Sequence, residues 1–307
     1  STAAELNLLD DKDATHLAVP GKLEGTNFGD SLLIGHTTTG TLNAAERNTG
    51  VGINALDALT SGDDNTAIGR NAGSSVTSGS SNTFIGQAAG NSSTSASENT
   101  AVGYASLKTV TTSGTQNTAL GFEALELVNS GDHNVGIGWK AGDSLTSGKG
   151  NVLIGSNVEA ASNTGDRQLT IGGYDGSTTT TWISGDSSGV VTIDGGIDIG
   201  DANISYGTAT TTSSSAANMD TFAAATYRSA KYQVSIVDST NTKFGIYEVF
   251  VTHDGSAAYI NAQGISDTGL DLATFSADID SGSVRVRVIP ISDASTVFKF
   301  VRTVFTV

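Results

Sequence analysis

Between positions 31 and 172 the apolar residues return at a step of 17, not every three or four residues. No window carries the stripe of an amphipathic helix, so the pattern predicts short strands separated by turns. Its unit is a five-residue phrase, Asn-Thr-x-apolar-Gly, which starts at Asn48, Asn65, Asn82, Asn99 and Asn117. Worn copies start at Asn134 and Asn151, and weaker ones at Ser31 and Gln168 bracket the set. Every step is 17 residues except the 18 from Asn99 to Asn117. Counted from each start, Ile, Val or Leu stands at offset 3 and glycine at offset 4. Small residues such as Ala55, Ala72 and Ala89 follow at offset 7, and Leu59, Val76 and Val110 represent offset 11. Ser, Thr, Gly, Asn and Asp fill the intervals, as turns require.

A repeat this regular is one supersecondary unit stacked on copies of itself. The fold it predicts is all-β: a parallel β-solenoid or β-roll of about nine 17-residue coils, each with two short strands. Coils rising about 4.8 Å each make a rod of roughly 40 Å. The glycine fits a corner with positive φ or a close approach of neighbouring coils. The asparagine is placed to stack as a side-chain amide ladder. The one longer step predicts an extra loop residue within 109–116. So few apolar positions per coil leave a thin interior at protein packing density. A homotrimer, with three solenoids sharing their apolar faces, is therefore expected.

The flanks differ. Residues 1–30 begin with an apolar cluster, Ala3, Ala4, Leu6, Leu8 and Leu9, which reads as a connector or trimerisation segment in one or two helical turns or an entering strand. Residues 173–217 read as a neck of short strands and a Ser/Thr-rich linker. From 218 to 307 apolar and polar residues alternate, most clearly in Val284-Arg285-Val286-Arg287-Val288, and a C-terminal β-sandwich is expected.

Composition narrows the function. Asp+Glu number 31 against 15 Lys+Arg, a net charge of −16, which repels nucleic-acid phosphates. The absence of cysteine excludes disulfides and thiolate chemistry. No apolar run reaches the length of a membrane-spanning helix, so no membrane insertion is expected. The first five residues lack the character of a signal peptide, and a first residue other than Met is expected of a processed or trimmed chain.

Candidate chemistry is sparse, and no cofactor is expected. His16, His36, His133 and His253 lack ligand spacing and read as structural or surface residues. Asp194, Asp198 and Asp201 lie in an Asp-rich run, 186–201, which lacks the ordered spacing of a calcium loop and reads as solvated turns. Asp57, Asp63, Asp64, Glu98, Glu123, Glu126 and Asp132 fall mostly in turns, without the long loops that wall a glycosidase groove. The expectation is that the chain is not an enzyme. One column stands out: at offset 5, three consecutive coils carry Tyr104, Phe122 and Trp139. Facing water, these rings form a strip that stacks on sugars and binds a receptor; facing a neighbour, they pack between protomers.

The Asn-Thr-x-Ile/Val-Gly phrases resemble the head repeats of trimeric autotransporter adhesins, which form a parallel β-roll in a homotrimer, although those repeats are shorter. The opening Thr2-Ala3-Ala4-Glu5-Leu6-Asn7-Leu8-Leu9-Asp10 resembles a phrase of bacteriophage tail fibres. The segment Thr226-Tyr227-Arg228-Ser229-Ala230-Lys231-Tyr232, with Glu248 and His253-Asp254-Gly255, resembles a C-terminal module of structural proteins from phages of marine cyanobacteria. These resemblances imply an extracellular virion tail fibre that contacts other tail or baseplate proteins. Its host partner would be a surface glycan or outer-membrane protein. The alternatives are a polysaccharide-depolymerase tailspike and a purely structural spacer or decoration protein.

Overall fold

The structure is a computed structural model that describes residues 21–25, 28–34, 43–111, 113–268 and 271–306. The apolar cluster at 3–9 lies outside the described residues. Among the described residues there are strands and turns and no helix. The chain divides into two units, Ser1–Asp194 and Gly195–Val307.

The first unit is a parallel β-solenoid of about eight turns. Its rungs are β2 (Phe28–Ile34), β4 (Thr49–Val51), β5 (Thr66–Ile68), β6 (Thr83–Ile85), β7 (Thr100–Val102), β8 (Thr118–Leu120), β9 (Val135–Ile137), β10 (Val152–Ile154) and β11 (Leu169–Tyr174), each parallel to the next. The antiparallel strand β1 (Gly21–Gly25) and the short parallel β3 (Ala45–Glu46) pair with β2 at one end. The antiparallel β12 (Thr179–Gly185) and β13 (Val191–Ile193) extend the sheet beyond β11. Each interior coil holds one three-residue strand where two were expected. The reason is local: offsets 6 and 8 take positive φ, as at Asn54 (60°) and Leu56 (56°), which breaks extended backbone. The turns still bond coil to coil, for example Leu56 N–H to Ala72 O at 3.1 Å.

The asparagine ladder forms along the whole stack. Asn48, Asn65, Asn82, Asn99, Asn117, Asn134 and Asn151 are fully buried. The Oδ1 of Asn117 accepts from the Asn134 main-chain N–H and from Asn134 Nδ2, both at 3.0 Å. Asn117 Nδ2 donates to Gly131 O at 2.8 Å in its own coil. Gln168 ends the ladder, donating from N and Nε2 to Asn151 Oδ1. The extra residue of the long step falls between Thr111 and Gly114: Asn99 Nδ2 reaches Gly114 O across 15 positions, where its neighbours reach across 14.

An inward asparagine fixes the faces of the strand that follows. Side chains alternate across a strand, so offset 2 points in and offset 3 points out. The inward column is Leu33, Gly50, Ala67, Phe84, Ala101, Ala119, Gly136 and Leu153. Offset 8 packs against that column, in neighbouring coils as well as in its own. Leu56, Leu107 and Leu125 are fully buried in positive-φ backbone, at 56°, 47° and 50°, in coils whose offset 2 is Gly or Ala. Gly90 replaces leucine beside Phe84, whose ring lies 2.4 Å from where a Gly90 Cβ would stand. One chain thus fills its own interior, which corrects the expectation of coils too thin to do so. The conspicuous Ile/Val/Leu column that the expectation placed inside is the outward one.

The corner glycines answer both stated requirements. Gly86 has φ 133°, and a Cβ there would lie 2.4 Å from the Gly103 carbonyl oxygen of the next coil.

The second unit holds two antiparallel sheets on one apolar core. The six-stranded sheet runs β14 (Ile197–Ile199), β15 (Ala202–Thr211), β22 (Thr296–Thr306), β17 (Tyr227–Asp238), β18 (Lys243–His253) and β19 (Ala258–Asp267). The three-stranded sheet runs β16 (Ala217–Ala223), β21 (Ser283–Pro290) and β20 (Ala273–Asp280). Tyr232, Val234, Ile236 and Phe298 from the larger sheet and Val284, Val286 and Val288 from the smaller are fully buried. Residues 173–217, read as neck and linker, divide between the units, and β15 pairs with β22 along its full length. Tyr232 Oη donates to Asp220 at 2.8 Å, and Arg302 bonds the same carboxylate at 2.7 Å.

Candidate functional site

The offset-5 column is on the solenoid surface. Tyr104, Phe122 and Trp139 are each 41–43% exposed. The two smaller rings stack on each other with centroids 4.9 Å apart and planes 14° off parallel. Trp139 does not stack on Phe122; it stacks on Tyr174 at 5.9 Å, past the coil in which Ser156 holds offset 5. Tyr174 had no signal in the repeat, because it stands at offset 6 of the last, degenerate copy. The Lys140 ammonium lies 5.4 Å from the Trp139 ring centre and pairs with Glu123 at 3.0 Å and Asp143 at 3.6 Å. One side of the ring column is therefore charged and wet. On the other side, across the corner glycine, runs the outward aliphatic column: Val51, Ile68, Ile85, Val102, Leu120, Ile137 and Ile154.

The acidic residues singled out in the sequence are mostly committed to structure. Asp64 accepts from Nε and Nη2 of Arg47, which lowers its pKa, and Asp63 accepts the Glu46 main-chain N–H. Asp132 accepts the Thr115 N–H and pairs with Lys149 at 2.8 Å, and Glu126 pairs with Lys108 at 2.9 Å. Asp186 accepts from Ser188 and Val190 in its own turn, and Asp198 accepts from Asn203. His253 is buried, accepting the Gly255 N–H at Nδ1 and facing Tyr227 O through Nε2 at 2.6 Å. His133 occupies a positive-φ turn, and His16 and His36 lie outside the described residues. Among the described residues no three His, Asp or Glu side chains gather to hold a metal ion.

One carboxyl escaped the sequence reading. Glu159 stands at offset 8, which other coils give to Leu or Gly, but it lacks their positive φ and is half-buried between the buried Val158 and Ala160. Burial, and then a hydrogen bond with Asp143, push its pKa up to about 7, against 4.5 ordinarily. Ser144 Oγ donates to its Oε2 at 2.5 Å. Nothing in the repeat marked it, because its partial burial comes from contact with Asp143 and Ser144 of the preceding coil.

No protein-family model and no curated protein matches the chain. Among solved structures it is similar to the tailspike protein of Acinetobacter baumannii phage AM24, at 8% identity and TM-score 0.23, covering 92% of this chain and 54% of that one. It is also similar to the tailspike protein gp49 of Acinetobacter baumannii bacteriophage Fri1, a capsular polysaccharide depolymerase, at 10% identity and TM-score 0.27, covering 88% and 50%. The chain thus spans about half the length of these structures. The description of the Fri1 protein corrects the expectation that the chain is not an enzyme, which is withdrawn.

Proposed function

We propose that the chain is the host-recognising part of a phage tail, a homotrimeric fibre or spike protein whose solenoids meet along the outward aliphatic column. That column carries the reading. Val51, Ile68, Ile85 and Leu120 are 36–47% exposed in the single chain. With the half-buried Val102, Ile137 and Ile154 they expose apolar surface on the order of 400 Å², continuous along the stack, of the size that marks an interaction site. A partner must repeat at the coil spacing to fill such a column rung by rung, and a second copy of the same chain does so by construction.

The receptor role is supported by the resemblance of the N-terminal phrase and the 226–255 segment to phage tail proteins. We assign the rings of Tyr104, Phe122 and Trp139 to a receptor contact on the solenoid, since the Lys140–Glu123 pair keeps that side hydrated. Three copies raise a weak single-site affinity through effective concentration. The purified chain should adsorb to host cells and block phage adsorption; a chain that does neither is a structural spacer.

Glu159 favours a second reading, cleavage of the bound polysaccharide. A carboxyl that holds its proton near pH 7 suits general-acid chemistry. Release of reducing sugar from host polysaccharide by the wild type, abolished in Glu159→Gln, supports that reading; equal release by both removes Glu159 from it.

A further inference from the structure

The six-stranded sheet of the second unit buries one face and leaves the other open. Register places Tyr206, Val301, Gln233, Glu248 and Gln263 in one cross-strand row of the open face. The next row holds Ile204, Thr303, Lys231, Phe250 and Asn261, and the one after it includes Phe305 and Tyr259. Tyr206, Phe250, Tyr259 and Phe305 are 42–60% exposed, which is unusual for rings with no function outside a core. Two hollows of about 460 Å³ each open on this face. The first is lined by Tyr206, Gln233, Ser235, Ile246 and Lys299, and the second by Lys231, Phe250, Tyr259, Asn261 and Phe305.

The lining chemistry decides what fits. On the solenoid the outward column is purely aliphatic, whereas here Phe250 stands between Lys231 and Asn261, Phe305 beside Ser229 and Tyr259 beside Thr252. Gln233, Asn261 and Lys299 make no hydrogen bond or ion pair with other described residues, so their donors and acceptors are free. A dry protein interface would strand them at the desolvation penalty of unpaired polar groups. A sugar supplies both surfaces: C–H faces for the rings and a hydroxyl for each amide. Charge narrows the class further. The chain holds 31 acidic against 15 basic side chains, yet each hollow is lined by one lysine and by no carboxylate. Lys231 lies 5.3 Å from the Phe250 ring centre and is paired with Glu248 at 3.0 Å, and Tyr259 donates to Asp254 at the margin. Lys299 is the ammonium left open.

We propose that the open face of the six-stranded sheet binds an acidic oligosaccharide, with an acidic group at Lys299 and a further sugar ring against Phe250 and Tyr259. The two hollows are centred about four residues apart along β17, roughly 13 Å, a distance that a linear oligosaccharide bridges. This assignment rests on the receptor reading and names the ligand class that reading left open.

The test uses the full chain on an array of bacterial surface polysaccharides, acidic and neutral, with host adsorption measured in parallel. Retention of acidic members over neutral ones is expected. Lys299→Glu and Tyr259→Ala should each weaken it by about tenfold, the scale of one lost charged or stacking contact. Both side chains are exposed, so the melting temperature should stay unchanged. Preference for neutral members, or undiminished binding by both variants, overturns the proposal. So does a fall to single-chain mass in Lys299→Glu, which would assign the face to another copy. If Trp139→Ala abolishes host adsorption while both sheet variants adsorb normally, the receptor reading stands and this assignment fails. A wild-type chain that binds neither array nor host defeats the receptor reading itself.

Discussion

Removing one amide from the middle of the asparagine ladder should destabilise the solenoid far more than an ordinary polar-to-alanine change. In Asn117→Ala the Gly131 carbonyl loses its donor and the Asn134 main-chain N–H loses its acceptor. Both groups stand beside fully buried asparagines and are out of reach of water. Asn134 Nδ2 keeps its bond to Gly148 O, and Asn99 Oδ1 keeps the Asn117 N–H, so those groups are not stranded. Two stranded buried groups at about 1–3 kcal/mol each give a loss of about 4 kcal/mol. The assay is urea unfolding followed by tryptophan fluorescence. Trp139 and Trp182 both belong to the Ser1–Asp194 unit, so the signal reports the solenoid alone. The exposed Gln87→Ala, two coils away, is the control and should fall within about 0.5 kcal/mol of wild type. A loss below about 1 kcal/mol in Asn117→Ala would refute the reasoning, because the ladder would then contribute no more than solvent-exposed amides do.

Three further outcomes follow from the same geometry. Gly86→Ala combines a positive φ with a Cβ 2.4 Å from the next coil's carbonyl, and should cost at least about 2 kcal/mol in the same unfolding assay. Glu159 holds its proton more tightly folded than unfolded, so solenoid stability should decline as pH rises from 4.5 toward about 7. Glu159→Gln should flatten that slope and, after allowance for partial exposure, gain about 1–2 kcal/mol at pH 8, with no gain at pH 4; Asp143, Lys140 and Ser144 are the groups facing the site, and an unchanged slope would show that Glu159 does not set it. Trp139→Ala should reduce host adsorption while leaving the unfolding midpoint nearly in place; full adsorption with a lowered midpoint would make the ring structural.

The repeat made the solenoid, the amide ladder and the corner glycines legible, because each depends on one residue type at one offset. It did not reveal which apolar column faces inward. Offset 3 is uniformly Ile, Val or Leu and looks like a core, yet it points out. Offset 2 varies from Gly50 to Phe84 and looks unselected, yet it is the core, with its size differences shared between neighbouring coils: Gly73 and Gly90 both make room for Phe84, and Gly142 for Leu153. The buried asparagine held the answer, since an inward residue at offset 0 forces offset 2 inward. Leucine in left-handed backbone, as at Leu107 (47°), goes against local preference and is stabilised by burial, which propensity cannot anticipate. In the second unit, alternation marked the strands but not which sheet face another layer covers.

The most direct test of the proposed assembly is the mass of the purified chain in solution by sedimentation equilibrium. Three solenoids closed over their aliphatic columns predict a particle of three 31.0 kDa chains, stable on dilution to micromolar concentration. A folded, soluble species with the mass of one chain would contradict it and leave that outward column without an occupant.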